Sequence, residues 1–280
     1  WNPGTLLWAQ FSQKAFMRLE DICSIFVGTS TNADDVFILE QAKKRGKTTL
    51  AFSNIDETEV EIESAITLPF VRGRDLSRYY ISTQDTIVVF PYELEDSTEL
   101  FAKEKVSNSF PLAWNYLNRH REKLENRESG KWKRRDDWYS HAYPRNHSKI
   151  TVPKLLSPDI SNHGSWVIDE VGEFHALNTV YGISDPLNGY SLYFLLAILN
   201  SKVFEHFIRT HSVDLRGGYF RVTKNFMMDF PVPNIQVGHE KMDFVHVKTH
   251  YEQDTTTALL AWATAELAAN RNDTIHDLLA

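Results

Sequence analysis

The sequence predicts a mixed α+β fold with short, mostly antiparallel strands, several helices and protruding basic loops. Three observations point there. Leu192, Leu195, Leu196, Leu199, Val203 and Phe207 recur at steps of three and four, which places an apolar stripe on one helix face. Short runs of strand length, Thr48–Phe52, Glu59–Ile62 and Thr86–Phe90 among them, are separated by polar turns. Basic and aromatic residues interleave in two loops, Lys131–Tyr139 and Leu215–Arg221.

Composition bounds the class. At 280 residues, 42% hydrophobic and 24% charged, the chain is long enough for a sizeable core and has the make-up of an ordinary globular protein. Cys23 is the only cysteine, so no internal disulfide and no cysteine-based zinc site can form, which fits a cytoplasmic setting. No apolar run approaches the roughly 20 residues that span a bilayer. The opening Trp1-Asn2-Pro3-Gly4 is no signal peptide and reads as the interior of a longer polypeptide. The net charge of −7 argues against nucleic acid as an average, but the charge is unevenly spread. Arg119–Lys154 holds eleven Lys and Arg against five acids, and Lys202–Lys224 five against two. Such separation gives a basic face on an acidic body.

In chain order, Leu6–Arg18 reads as an entry helix. Ile22, Ile25 and Val27 lead into the polar loop Gly28–Asn32, and Val36–Leu39 reads as a second strand, so the pair predicts a hairpin. The loop's hydroxyls, Thr29 and Thr31, are candidates for phosphate contact. Lys43–Lys47 is a basic turn around Gly46. Ile66–Val71 ends as a strand at the turn Arg72-Gly73-Arg74-Asp75, and Leu76–Tyr80 reads as one helical turn. Arg72 and Arg74 suit either a phosphate or a guanine edge, or a salt bridge to a neighbouring acid. Pro111 marks a helix start, with Leu112, Tyr116, Leu117, His120 and Leu124 on one face. Lys131, Lys133, Arg134 and Arg135 then alternate with Trp132, Trp138 and Tyr139, residues suited to phosphate contact with stacking or to anchoring the loop on the core. Short strands follow around Leu155, Val167 and Phe174. The long helix from Leu192 carries Lys202 and Arg209 in its later part. Gly217-Gly218 lies between Arg216, Tyr219 and Arg221, a pair able to take positive φ and bring backbone close to a large partner. Gln236–Asp254 resembles a linker, and Thr255–Ala269 an amphipathic helix.

Four blocks carry a resemblance: LLAILNSK…LRGGYFR…FPVP from Leu195 to Pro233; Gly28, Thr31, Asp35, Val36 and Phe37; the Pro69…Gly73…Asp75…Arg78-Tyr79 element; and Pro153-Lys154-Leu155-Leu156…Asn178…Tyr181. In this order they resemble the C-terminal specificity region of TaqI-like adenine-specific DNA methyltransferases, including the fused restriction-and-modification enzymes. The resemblance covers Leu19–Pro233. It implies a target-recognition domain at 19–235, in one or two subdomains, preceded by an entry segment at 1–18 from a methyltransferase domain of the same polypeptide and followed by a linker and helical element at 236–280. The implied partner is double-stranded DNA, and the implied methyl donor, S-adenosylmethionine, belongs to the catalytic domain rather than to this chain.

The chain's own chemistry agrees that catalysis lies elsewhere. No Pro-Pro pair exists for an Asn-Pro-Pro-aromatic motif, and there is no glycine-rich cofactor loop and no P-loop. No lysine has an acid two residues before it, as common metal-dependent nucleases require. His239, His246 and His250 are the nearest approach to a metal cluster and lack accompanying acids. The candidate DNA contacts are therefore Lys131, Lys133, Arg134, Arg135, Arg145, Arg216, Tyr219 and Arg221, with Arg72, Arg74, Thr29 and Thr31 next. Two other readings remain at this point: the recognition subunit of a multi-subunit restriction or defence system, and a protein-interaction module indifferent to salt.

Overall fold

A computed structural model of the chain describes residues 16–82, 85–94, 99–234 and 256–269. The chain opens in one half, builds the other, and returns. Strand β1 (Phe16–Arg18), the turn of helix α1 (Leu19–Ile22) and strand β2 (Ser24–Val27) belong to the half completed last. The described end of the expected entry helix is thus a strand, and the rest of it lies outside the described residues. The first half then runs continuously. Helix α2 (Asp34–Phe37) leads into strands β3 (Ile38–Arg45), β4 (Thr48–Ser53), β5 (Thr58–Glu63) and β6 (Thr67–Val71). The small hairpin of β7 (Leu76–Ser77) and β8 (Tyr80–Ile81), strand β9 (Ile87–Val89) and helices α3 (Lys103–Ser109), α4 (Pro111–Arg119) and α5 (Arg121–Glu125) complete it. Its sheet runs β6-β9-β3-β4-β5, antiparallel throughout.

Small residues let a helix sit close to this sheet. The buried face of β4 is Thr49, Ala51 and Ser53. Tyr116 of α4 drops onto it, its hydroxyl donating to the Val36 carbonyl at 2.8 Å and lying 3.1 Å from Ser53 Oγ. Helix α4 starts with Pro111 in its first turn, and the Glu63 carboxylate accepts from the orphan N–H groups of Leu112 and Ala113 at 2.8 and 2.9 Å. A sheet residue thereby caps the helix that covers the sheet.

The second half is a four-stranded antiparallel sheet, ordered β12-β10-β14-β2 in terms of β10 (Lys154–Pro158), β12 (Val167–Asp169) and β14 (Val180–Ser184), with β11 (Ile160–Ser161) and β13 (His175–Ala176) between them in sequence. Helices α6 (Leu192–Leu199) and α7 (Lys202–His211) cover it, followed by the hairpin β15 (Asp214–Leu215) and β16 (Tyr219–Arg221), the turn of α8 (Lys224–Met227), and β17 (Pro231–Pro233), which pairs with β1. A further helix, α9, spans Thr256–Ala268. Each half has its own hydrophobic core, and a smaller cluster of Phe26, Val71, Leu76, Leu156, Val167, Ala176 and Val180 joins them. Strand β13 also pairs in parallel with β6, stitching the second half to the first sheet.

Three expectations are corrected. The single helix from Leu192 is two, because Asn200 and Ser201 redirect their side chains to backbone. Asn200 exchanges hydrogen bonds with both backbone groups of Trp166, and Ser201 Oγ caps α7 by accepting from Phe204 N. Val203 consequently points to solvent, and Lys202 opens a helix instead of closing one. The hairpin expected around Gly28 is absent, since β2 and β3 lie in different sheets and Asp34–Phe37 is helical. Leu76–Tyr80 is a hairpin rather than a helical turn, with Tyr79 at φ 63°.

Three histidines, His141, His147 and His175, sit buried beneath the junction with Phe90 and Tyr92. Burial depresses His141 to about 3, with help from His147 and Arg127 and opposed by the Val89 carbonyl. Burial also holds His175 well below the ordinary imidazole value, with His141, His147 and Lys154 adding to it. The folded chain keeps both rings neutral, whereas unfolded imidazole binds a proton near pH 6.5. Stability is therefore full above that value and falls as pH drops through about 6.5. Unfolding free energies from urea titrations between pH 7.5 and 5 should decline with a slope approaching two protons, about 2.7 kcal/mol per pH unit. His175→Phe should shrink that slope by one proton; an unchanged slope would exclude this account.

Candidate nucleic-acid interface

The basic loop is built on an arginine that is itself unavailable to a ligand. Arg127 follows α5, where Glu128 and Ser129 take left-handed conformations with φ of 49° and 60°. Its guanidinium is buried and donates to the carbonyls of Leu124, Thr31, Ser140 and Trp138 at 2.7 to 2.9 Å. It lies 4.4 Å from the ring of Trp132 and 5.7 Å from that of Phe37. Burial lowers its pKa to about 10, with no hydrogen-bonded carboxylate to offset it. Trp132, Trp138 and Tyr139 are buried around it, so the loop's aromatics anchor it and offer no stacking surface.

What the loop presents is selective. Lys133 and Arg134 are exposed, Arg134 at φ 64°. Lys131 pairs with Glu128 at 2.9 Å, and Arg135 forks onto Asp137 at 2.7 and 2.8 Å while stacking on Trp132. Lys131 and Arg145 both lie over the half-exposed Tyr143 ring, at 5.9 and 5.5 Å. Among the described residues, Lys133, Arg134, Arg145 and Arg216 have no carboxylate partner, in contrast to Lys131, Arg135 and Arg221. Lys154, counted with the basic stretch, is buried against Asp169 at 2.6 Å.

Thr29 and Thr31 do not reach the surface. Thr29 Oγ1 donates to the Tyr143 carbonyl at 3.2 Å, and Thr31 Oγ1 bonds the Asp34 carboxylate and accepts from Ala33 N. Gly28 explains the burial: its N–H and that of Thr29 bond into the 176–180 segment, and a Cβ on Gly28 would lie 2.2 Å from the Leu177 carbonyl. The loop runs extended, so Thr29 and Thr31 face inward while Ser30 and Asn32 face out.

Of the remaining candidates, Arg72, Arg74 and Tyr219 line an open groove of about 540 Å³ where the two halves join, together with Asp159, His163 and Ser165 among others. Arg72 faces inward, 17% exposed, bonded to Glu40 at 2.6 Å and Asp75 at 3.3 Å. Its hydrogen bond holds the Glu40 carboxyl below the usual range, with the Arg72 and Arg74 charges adding and burial opposing. Arg74 shares Glu40 at 3.0 Å yet is 67% exposed. Across the groove, Tyr219 and Arg216 sit on the β15–β16 turn, whose Gly217 and Gly218 take φ of 83° and 77°, open to glycine and costly to others. Arg209, expected on a helix surface, holds this turn by donating to the carbonyls of Gly218 and Asn162 at 3.0 and 2.6 Å. Arg221 lies 3.9 Å from Asp159.

Hydrogen bonds link the two regions through the chain between them. Ser30 pairs with Tyr143 and accepts from Asn178, and the neighbouring Thr179 hydroxyl accepts from Gly73 N at the groove. Between them the Tyr181 phenol is pushed up by burial and by Asp159, while Arg145 from one region and Arg221 from the other pull it down. Sequence reasoning missed Asp159, His163 and the exposed Tyr79 and Tyr80 on the β7–β8 turn, because none lies in a basic run.

The connection from β14 to α6 contains Pro186 and the single Gly189 rather than a glycine-rich turn. No metal-holding cluster occurs among the described residues, and His239, His246 and His250 lie outside them. No described helix is long and apolar enough to cross a membrane.

Comparison with known proteins follows the same outline. The profile of the TaqI-like C-terminal specificity domain matches residues 68–232. The chain is 27% identical over 228 residues to the type II methyltransferase M.BstVI of Geobacillus stearothermophilus, covering 79% of this chain and 36% of that protein. It is 27% identical over 215 residues to M.XhoI of Xanthomonas vasicola, covering 76% and 34%. The chain thus spans about a third of the length of the curated relatives it matches. Its fold is shared with the type IIL restriction-modification enzyme MmeI, solved in complex with DNA, at a TM-score of 0.51 and 13% identity over 79% of this chain and 26% of that one. It is also shared with the type IIG restriction endonuclease BpuSI, at 0.51 and 14% over 91% and 28%.

Arg127 gives a direct test of how the loop is held. Arg127→Met leaves four buried carbonyls without a donor and should cost about 3–5 kcal/mol in urea unfolding. Lys133→Ala, on the same loop, should stay within about 0.5 kcal/mol of the parent. Equal effects from the two would remove Arg127 from its central place.

Proposed function

The chain belongs to the TaqI-like C-terminal specificity domain family, and from that premise we propose that it recognises double-stranded DNA for an adenine-specific methyltransferase of a restriction-modification system. In this reading residues 19–235 form the recognition body. Residues 1–18 lead in from the methyltransferase domain of the same polypeptide, which binds S-adenosylmethionine and carries out the transfer. This chain's part is to bind and orient the duplex; its residues take no part in the chemical step. The observation that carries the reading is a set of cations free of carboxylates among the described residues, Lys133, Arg134, Arg145 and Arg216, on a chain of net charge −7. Lys131, Arg135 and Arg221, whose acidic partners are exposed or half-exposed, join them when a phosphate replaces the partner. Tyr219 and Arg74 flank the groove itself.

Salt separates this from a protein-interaction role. Each neutralised phosphate contributes about −0.9 to the slope of log K against log salt. Changing Lys133, Arg134, Arg145 and Arg216 together to Ala should flatten the slope for duplex binding by about 3 to 4, with the unfolding midpoint unchanged. A steep slope left intact by the fourfold variant would place the phosphates elsewhere.

A further inference from the structure

We propose that the groove between the Arg72–Asp75 turn, the Asp159–Ser165 loop and the Tyr219 hairpin reads base edges of the duplex, with Arg74, Asp159 and His163 determining sequence specificity. This rests on the DNA-recognition reading above and assigns the place where sequence is read.

Charge balance is the first argument. Arg72, Arg74 and Arg221 are met by Glu40, Asp75 and Asp159, so the groove carries no net charge from these groups. Lys133, Arg134, Arg145 and Arg216, by contrast, have no carboxylate partner among the described residues. A phosphate gains from counterion release at those cations and meets the Asp159 carboxylate inside the groove. Base edges carry no net charge but a fixed order of donors and acceptors, which a balanced, mixed site distinguishes and a uniformly basic one does not.

The groups present match that order. Arg74 offers a planar fork, the geometry that pairs with guanine O6 and N7. It is able to leave Glu40 without stranding a charge, because Arg72 holds the same carboxylate oxygen at 2.6 Å. Asp159 is an acceptor for a cytosine amino group. His163 Nδ1 lies 2.8 Å from the Gly164 carbonyl, an atom that only accepts, so Nδ1 carries the proton. In that tautomer Nε2 is the acceptor nitrogen, suited to the amino group of adenine or cytosine. The groove thus combines one forked donor from the Arg72–Asp75 turn with two acceptors from the Asp159–Ser165 loop.

Preorganisation is the second argument. The loop bearing His163 is fixed from both sides: Arg78 Nε donates to the Gly164 carbonyl at 3.0 Å, Arg209 to the Asn162 carbonyl, and Ser161 and Ser165 are bonded to each other at 2.9 Å. Asp159 is tied through its backbone, its N–H to Thr179 and its carbonyl to Val222. Phosphate attraction tolerates mobile side chains, whereas base reading needs fixed ones.

The test is selection from a randomised duplex pool by the whole chain, followed by salt titrations on the selected and a scrambled duplex. The wild type should enrich a motif. Arg74→Lys, which keeps the charge and loses the fork, His163→Ala and Asp159→Asn should each lose about 10- to 100-fold discrimination at one base position with the salt slope unchanged. Lys133→Ala with Arg134→Ala should flatten the slope and leave the motif intact. A motif unaltered by the three groove variants, or groove variants that weaken all sequences alike with a flatter slope, overturns the inference while leaving DNA recognition standing. A wild type that binds without enriching any motif also overturns it. Absence of binding to any duplex at low salt overturns both.

Discussion

The Arg127 guanidinium directs its N–H groups at four carbonyls drawn from three separate segments: the end of α5, the Gly28–Asn32 loop and the Trp138–Ser140 stretch. Loop backbone ordinarily stays at the surface because its polar groups need partners. Here one side chain supplies them, with Trp132 and Phe37 closing over its faces. A buried charge without a carboxylate is costly, and its lowered pKa records that cost. Four charge-assisted hydrogen bonds offset it, and in return three stretches of irregular chain hold a fixed shape. Every surface cation of the 131–145 region hangs from that frame.

The same frame decides which charges are free to act. Counted along the sequence, Arg119–Lys154 is strongly basic. In space, Arg127 and Lys154 are buried, and Lys131 and Arg135 already face carboxylates. Among the described residues of this stretch, Lys133, Arg134 and Arg145 are left without a carboxylate partner. Lys154 and Asp169 serve a different end. They face each other across β10 and β12, and Asp169 also accepts from Glu173 and Phe174 N–H groups, which fixes the turn leading to β13.

Elements governed by local rules were legible in the sequence. The strands at 48–53, 58–63, 67–71 and 87–89 follow apolar patterning, and α4 follows its proline and helical face. The break at Asn200 was not legible, because periodicity from Leu192 to Phe207 is satisfied by one helix or two; only the Trp166 backbone across the core selects two. Thr29 and Thr31 were read as loop hydroxyls, yet their burial depends on β13 and Tyr143, more than 100 residues away. The basic loop was visible as composition, but whether its tryptophans faced in or out depended on Arg127. The groove was not visible at all, since it joins a turn near 73, a loop near 162 and a hairpin near 218.

That non-locality follows from how the halves are joined. The chain leaves the second half after β2, builds the whole first half, and returns at β10. The joining cluster therefore combines Phe26, Val71 and Leu76 with Leu156, Val167, Ala176 and Val180. The parallel pairing of β13 with β6 sets Ala176 against Val71, one residue before Arg72. A shift of register by one residue would turn the Arg72–Asp75 turn away from the Asp159–Ser165 loop, because successive side chains of a strand face opposite ways. The relative position of the groove's walls is thus set by the buried pairing beneath it, and substitutions at its exposed lips are free to vary what is contacted without disturbing how the two halves meet.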